Sequence, residues 1–122
     1  MSWLFGEISK NSKSVSKISE VIKGKSLLWF SRNNISVFAG GNSNNLYNIE
    51  QAGIVYFISG IGITTDNGIS RIMGKKEWQK NINYNAEKLL STDGHYVIIK
   101  VGNNSISIYT DKLGLRDIYL RE

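Results

Sequence analysis

The sequence contains no cysteine, no proline and a single histidine among its 122 residues. The lack of cysteine excludes a disulfide framework, a thiolate metal site and a cysteine nucleophile. The lack of proline excludes a cis-proline turn, and one histidine, His95, cannot form a multi-histidine metal centre. We therefore expect neither a metal nor a cofactor.

Long hydrophobic runs are lacking too, since no apolar segment approaches the ~18 residues of a membrane-spanning helix. Residues 1–7 lack the basic segment and the long apolar segment of a secretory signal. The composition, 41% hydrophobic and 20% charged, is that of a globular protein and excludes a disordered tail, a coiled-coil rod and a collagen-like fibre. We expect one cytoplasmic domain with no membrane partner.

The net charge of +5 is unevenly distributed. Residues 1–33 hold six basic and two acidic residues, and residues 71–80 hold four basic residues and one acidic residue. Such clusters attract nucleic acid or an acidic protein. No nucleic-acid recognition motif accompanies them, so a solvated surface is favoured over a nucleic-acid interface. A basic binding module that uses residues 10–25 and 71–80 stays open as an alternative.

Hydrophobic periodicity predicts a mainly antiparallel sheet with one long helix. Strands are predicted at residues 3–8, 26–31, 35–39, 46–49, 54–59, 95–101, 105–110 and 116–120. Residues 26–39 are typical of a hairpin that turns at Asn33-Asn34. The long helix is predicted at residues 75–91, and residues 11–23 favour a weak amphipathic helix or an ordered loop. The predicted fold class is α+β.

Glycines mark two special points in this pattern. Gly60 and Gly62 interrupt a strand-like run and suggest a bulge or a close backbone approach. Gly94 follows the predicted long helix and suits the left-handed conformation of a helix cap.

Four segments carry a resemblance to a known family. Residues 1–6 read Met-Ser-Trp-Leu-Phe-Gly, and an apolar strand ends in Ser59-Gly60-Ile61. Residues 89–99 hold a helix end, a glycine and an aromatic-containing strand, and residues 108–120 read Ile-Tyr-Thr-Asp-Lys-Leu-Gly-Leu-Arg-Asp-Ile-Tyr-Leu. In this order they resemble the N-terminal glutamine amidotransferase domain of asparagine synthetase, the class II or N-terminal-nucleophile type. The most specific match is the last, to the family's Asp-Arg-Leu-Gly segment.

The resemblance implies a shortened N-terminal-nucleophile-hydrolase-like fold, because the family domain usually continues past the last matching strand. Residues 1–122 would then form a single amidotransferase-like domain, as its first portion or a reduced version. A shortened sheet has unpaired edges, which another element or chain usually covers. We therefore expect a homodimer, or docking to a synthetase partner protein.

The resemblance also implies a site. In the family, Met1 is removed, and the exposed cysteine attacks the amide of glutamine with its own α-amino group as base. The matching residue here is Ser2, the candidate nucleophile. The family's oxyanion pair, an asparagine side chain and a glycine N–H, falls on Ser59 and Gly60. Serine is shorter than asparagine, and losing one oxyanion donor typically costs ~10²–10³ in rate.

The remaining family anchors for glutamine have no counterpart. The glutamate that holds the substrate amine falls on Ile61, and residues 38–48 contain no His-Arg-Gly segment. The sequence therefore predicts a catalytically silent module, a pseudoenzyme that supports or interacts with an ATP-dependent amide-forming synthetase. The alternative is a Ser2-dependent amidohydrolase of the glutaminase type. We interpret His95 as structural, and Asp111 with Arg116 as an ion pair that fixes a turn.

Overall fold

The computed structural model describes residues 1–8, 17–84, 92–112 and 114 of the chain. Eight strands and two helices are described within these ranges. The strands are β1 (Trp3–Ile8), β2 (Leu28–Arg32), β3 (Ile35–Gly40), β4 (Leu46–Gln51), β5 (Ile54–Asp66), β6 (Ile69–Ile72), β7 (Asp93–Val101) and β8 (Ile106–Thr110). The helices are α1 (Lys17–Lys25) and α2 (Lys75–Tyr84), and a 3-10 turn, Ser43–Asn45, precedes β4.

The strands form two antiparallel sheets. Sheet A has the order β1-β3-β2. Sheet B has the order β4-β5-β7-β8, and the short strand β6 pairs with the far end of β5. The long strand β5 is thus the centre of sheet B.

Two-residue turns set the register of three hairpins. Ala52 and Gly53, between β4 and β5, have φ of 52° and 77°. Asn67 and Gly68, between β5 and β6, have φ of 50° and 77°. Positive φ at both central residues matches the right-handed twist of the paired strands. The predicted turn between β2 and β3 is confirmed, with Asn33 at φ 53°.

Sheet B is apolar on both faces, so the core has two parts. Against sheet A it buries a cluster formed by Ile35, Val37, Val55, Phe57, Ile99 and Val101. Against α2 it buries a second cluster formed by Ile49, Tyr56, Ile58, Met73, Trp78, Ile82, Tyr96 and Ile98. The layers are therefore sheet A, sheet B and α2, with α1 in contact with β3 of sheet A.

The glycines of β5 correct one prediction and confirm another. A bulge at Gly60–Gly62 is wrong, because β5 pairs with β7 in unbroken register from Val55 to Ile63. The close approach is confirmed at Gly62, where an added Cβ would lie 2.5 Å from the Trp78 ring.

The predicted fold class, an α+β N-terminal-nucleophile-like domain with one long helix, is wrong. More than half of the described residues lie in strands, and the two described helices have only nine and ten residues. The sequence analysis predicted too few strand residues, because the polar end of β5 and the exposed strand β6 lack an alternating apolar pattern. Of the predicted long helix, residues 75–84 are α2, and residues 85–91 lie outside the described residues.

Gly94 takes a positive φ for a different reason from the one predicted. It lies inside β7 with φ 137°, and an added Cβ would sit 2.1 Å from the carbonyl oxygen of Ile61. Close contact between β5 and β7 therefore requires glycine there. The predicted strand at residues 116–120 lies outside the described residues.

Candidate functional site

The fold brings together two of the residues that the sequence assigned to a site. Ser2 lies just before β1, and Ser59 lies on the face of β5 that is turned toward sheet A. Their hydroxyl oxygens are 2.6 Å apart, although 57 positions separate them in the sequence. Ser2 is 2% exposed and Ser59 is fully buried. We call these two residues the serine pair.

A glycine permits the tight packing of the chain around Ser2. Gly41 follows β3 and has φ 89°, which L side chains rarely adopt. A Cβ at this position would lie 2.1 Å from the Met1 carbonyl oxygen and 2.9 Å from the Ser2 Cα. The Asn42 N–H donates to the same Met1 carbonyl at 3.4 Å. The backbone after β3 thereby fixes where Ser2 enters sheet A.

The Ser2 hydroxyl makes two hydrogen-bond contacts with distant segments of the chain. It donates to the carbonyl oxygen of Asn45 at 3.1 Å. It also contacts the Ser59 hydroxyl at 2.6 Å, and either oxygen of the serine pair can be the donor there. Neither a carbonyl oxygen nor a serine hydroxyl is a strong enough base to activate a nucleophile.

The remaining sequence-assigned positions continue along β5. Gly60 has φ 126° and pairs with Tyr96 of β7, and Ile61 pairs with His95. Ile61, at the position of the family glutamate, is partly buried and brings no charge. The Nε2 atom of His95 is buried and has no hydrogen-bond partner among the described residues. This nitrogen therefore does not contact the Ser2 hydroxyl.

Asp111 fixes the turn after β8. Its Oδ2 accepts from the Tyr96 N–H at 3.3 Å, and its own N–H donates to the Tyr96 carbonyl at 3.2 Å. Gly114 N–H in turn donates to the Asp111 carbonyl at 3.1 Å. The predicted ion-pair partner, Arg116, lies outside the described residues.

The hydroxyl of Tyr96 is held in its neutral form. Burial, followed by the nearby charges of Asp111 and Asp93, raises the pKa of Tyr96 to about 12. The hydroxyl donates to the Thr92 carbonyl oxygen at 3.0 Å. Tyr96 is thus a buried structural donor.

A separate cleft of about 550 Å³ is lined by the end of β5, by β6, by α2 and by the start of β7. Its charged lining comprises three acidic and three basic residues: Asp66, Glu77, Asp93, Arg71, Lys76 and Lys80. Hydrogen bonds from the N–H groups of Glu77 itself and of Gly74 help to lower the pKa of the Glu77 carboxyl. Because acidic and basic residues are equal in number, the cleft favours neither an anionic nor a cationic ligand. The serine pair is not among its lining residues.

The described basic residues do not form one surface. Lys23 and Lys25 belong to α1, which contacts sheet A, whereas Lys76 and Lys80 belong to α2, which covers the far face of sheet B. A single nucleic-acid-binding face built from both clusters is therefore not favoured.

Sequence reasoning missed two features of the surface and the site. The hydrogen bond from Ser2 to the Asn45 carbonyl could not be predicted from residue type, because every residue has a backbone carbonyl. The Lys23 ammonium lies 4.2 Å from the centre of the Trp29 ring. The alternation of β2 could have placed Trp29 on the outer face of the hairpin, opposite the side on which Phe30 packs against Phe57.

Within the described part of the chain, no group of three or more histidine, aspartate and glutamate side chains is placed to hold a metal ion. In the same ranges, no helix has the length and apolar character needed to cross a membrane. No family model, no curated protein and no solved structure matches this chain.

Proposed function

We propose that this chain is a non-catalytic relative of glutamine amidotransferase domains that acts by binding another protein, an ATP-dependent amide-forming synthetase. The observation that carries the proposal is the serine pair. The resemblance assigns Ser2 and Ser59 to one site from two distant segments, and their hydroxyls lie in hydrogen-bond contact. This contact supports the proposal in one respect, namely that the two positions matched to the family's site lie together in the fold.

The same pair argues against hydrolysis. A nucleophile must reach its substrate and lose its proton to a base. Ser2 is buried, and its proton is donated to the Asn45 carbonyl. The serine pair therefore ties β1 to sheet B.

The lack of a charged partner for the substrate also argues against glutamine hydrolysis. Glutamine carries an ammonium and a carboxylate, and each charge-assisted hydrogen bond to such a group is worth about 1.5–3 kcal/mol. Ile61 provides no carboxylate for the ammonium. The role of the domain is then binding, and the choice of a synthetase as its partner follows from the resemblance.

The test is glutamate release from L-glutamine by the purified chain, with Ser2→Ala as the active-site variant. Ser70→Ala is the matched control, because Ser70 also shares a hydroxyl contact, at 2.9 Å with Thr65, but in an exposed position. We expect no turnover from any of the three proteins, and no heat of glutamine binding by calorimetry. Turnover that Ser2→Ala abolishes and Ser70→Ala keeps would overturn the proposal.

One observation favours the alternative, a Ser2-dependent amidohydrolase. Met1 is 91% exposed and therefore accessible to removal. Removal would create an α-amine on Ser2, the base that an N-terminal nucleophile uses. Intact mass separates the two forms, and glutamate release from the form that lacks Met1, but not from the form that retains it, would favour this alternative.

A further inference from the structure

We infer that the open edge of β2 binds an extended acidic segment of a partner protein, which adds a strand to sheet A. This inference rests on the proposed function, in that the chain acts by binding another protein, and it names the surface and the chemistry of the partner.

One edge of β2 is open within the described part of the chain, where β2 pairs with β3 alone. Arg32 and Ile35 flank a two-residue turn and so form a hydrogen-bonded pair, from which bonded and non-bonded pairs alternate along the ladder. The N–H and C=O groups of Trp29 and Ser31 consequently point away from β3. An extended peptide can satisfy them by strand addition.

Apolar side chains line the outer face beside this edge. Leu27 is 59% exposed and Trp29 is 57% exposed. Trp29 pairs with Phe38, which pairs with Phe5, so three aromatic side chains form one row across the outer face of sheet A. The rings of Phe5 and Phe38 are 6.2 Å apart. Trp29 is the exposed end of this row, at the open edge.

The charge along the edge has one sign. Lys23 and Lys25 lie just before β2 and Arg32 lies at its end, and residues 21–49 contain no aspartate or glutamate. Lys23 already lies over the Trp29 ring. Arg32 also donates to the carbonyl oxygen of Gly53. Carboxylates on an added strand would meet Lys23 and Lys25, because opposite charges attract.

The positive charge along the β2 edge favours a different protein as the binding partner and disfavours a second copy of this chain. Two β2 strands paired edge to edge would place lysine and arginine against the same residues of the other copy, which is destabilising. The outward-pointing backbone groups also select a peptide over a lipid surface, because lipid headgroups cannot continue the ladder of N–H and C=O pairs.

The probe is a short blocked peptide in which glutamate alternates with valine, and its counterpart carries lysine in place of glutamate. Ser31→Pro removes an outward N–H, a position at which edge strands tolerate proline. Trp29→Ser removes the apolar contact. Ile69→Ser is the matched control, because Ile69 is a 70% exposed side chain on β6. Circular dichroism establishes that each variant is folded.

We expect the acidic peptide to bind the unmodified chain and the lysine peptide not to bind. Ser31→Pro and Trp29→Ser should each weaken binding by about tenfold or more, which corresponds to about 1.4 kcal/mol. Ile69→Ser should leave binding unchanged. Because Ser31→Pro leaves the apolar side chains of Leu27 and Trp29 in place, its effect separates strand addition from simple apolar contact.

Three results would overturn the inference. They are acidic-peptide binding that Ser31→Pro leaves intact, equal binding of the lysine peptide, and no binding of the acidic peptide to the folded chain. In the last case, Trp29-dependent binding to phosphatidylserine vesicles would assign the face to a membrane. Trp29-dependent dimerisation in light scattering would assign it to a second copy. Glutamate release would refute the proposed function without altering the peptide result, so the two failures are distinguishable.

Discussion

Replacing Ser2 with alanine tests the structural role of the serine pair directly. The hydroxyl of Ser2 joins β1 to two other segments, through Ser59 of β5 and the carbonyl of Asn45 before β4. Both serines are almost fully buried. Alanine removes one oxygen without adding volume, so the lost contacts dominate the change in stability.

The expected loss follows from the number and burial of these hydrogen bonds. One intramolecular hydrogen bond contributes about 0.5–1.5 kcal/mol net, and a buried group that loses its partner costs about 1–3 kcal/mol. Ser2→Ala removes at least the contacts with Asn45 and Ser59, so the free energy of unfolding should fall by about 2–3 kcal/mol. Ser59→Ala should cost about 1–2 kcal/mol, because it removes one of these contacts.

Urea unfolding, followed by the fluorescence of the buried Trp78, measures these losses. The double variant Ser2→Ala/Ser59→Ala should lose less stability than the sum of the single variants, because both remove the same contact. The coupling energy should be about 0.5–1.5 kcal/mol. Ser70→Ala, in the exposed hydroxyl pair, should cost less than about 0.5 kcal/mol.

Two outcomes would contradict this reasoning. If Ser2→Ala cost no more than Ser70→Ala, the serine pair would not stabilise the junction between the sheets. If the effects of the two single variants were additive, the 2.6 Å contact would carry no energy of its own.

Three further variants probe the fold. Gly94→Ala places a Cβ against the Ile61 carbonyl oxygen at a positive φ. It should lower the free energy of unfolding by more than about 2 kcal/mol in urea unfolding. An unchanged urea midpoint would refute the close approach between β5 and β7. Gly24→Ala, in α1 with open space around it, should instead raise stability by about 0.5–1 kcal/mol, and a loss in thermal unfolding would contradict this. Tyr96 has a pKa of about 12 in the folded state and so holds its proton more tightly than in the unfolded state. Its contribution to the free energy of unfolding is therefore full below pH 10. That contribution, up to about 3 kcal/mol, is lost as the pH rises toward 12. Tyr96→Phe should flatten this alkaline loss in pH-dependent unfolding, and an equal loss in the variant would show that other groups cause it.

Local pattern was enough to predict most of the strands. The hairpin of β2 and β3 followed from two apolar runs around Asn33-Asn34, and the strands β1, β4, β7 and β8 begin or end within two residues of their predicted limits. These signals are local, because residues near one another in the sequence decide turns and alternation. The strand β6 was not predicted, because all of its residues are exposed and it has no alternation of buried and exposed positions.

The fold class could not be predicted correctly in the same way. The number of strands and the two-sheet arrangement depend on which apolar faces meet, and sheet B is covered on both faces by distant segments. Gly94 illustrates the limit. Its positive φ was predictable from residue type, but its cause, contact with the Ile61 carbonyl, arises only from pairing between β5 and β7.

The sequence by itself determined the chemistry that this protein lacks, namely thiols and a histidine cluster, because residue types set the available functional groups. It also marked Ser2 and Ser59 as candidates through a resemblance. Only the tertiary structure decided that their hydroxyls meet, that Ser2 donates to the Asn45 carbonyl, and that Trp29 stands at an open, basic edge. Those facts depend on distances between segments far apart in the chain, which sheet pairing and core packing set.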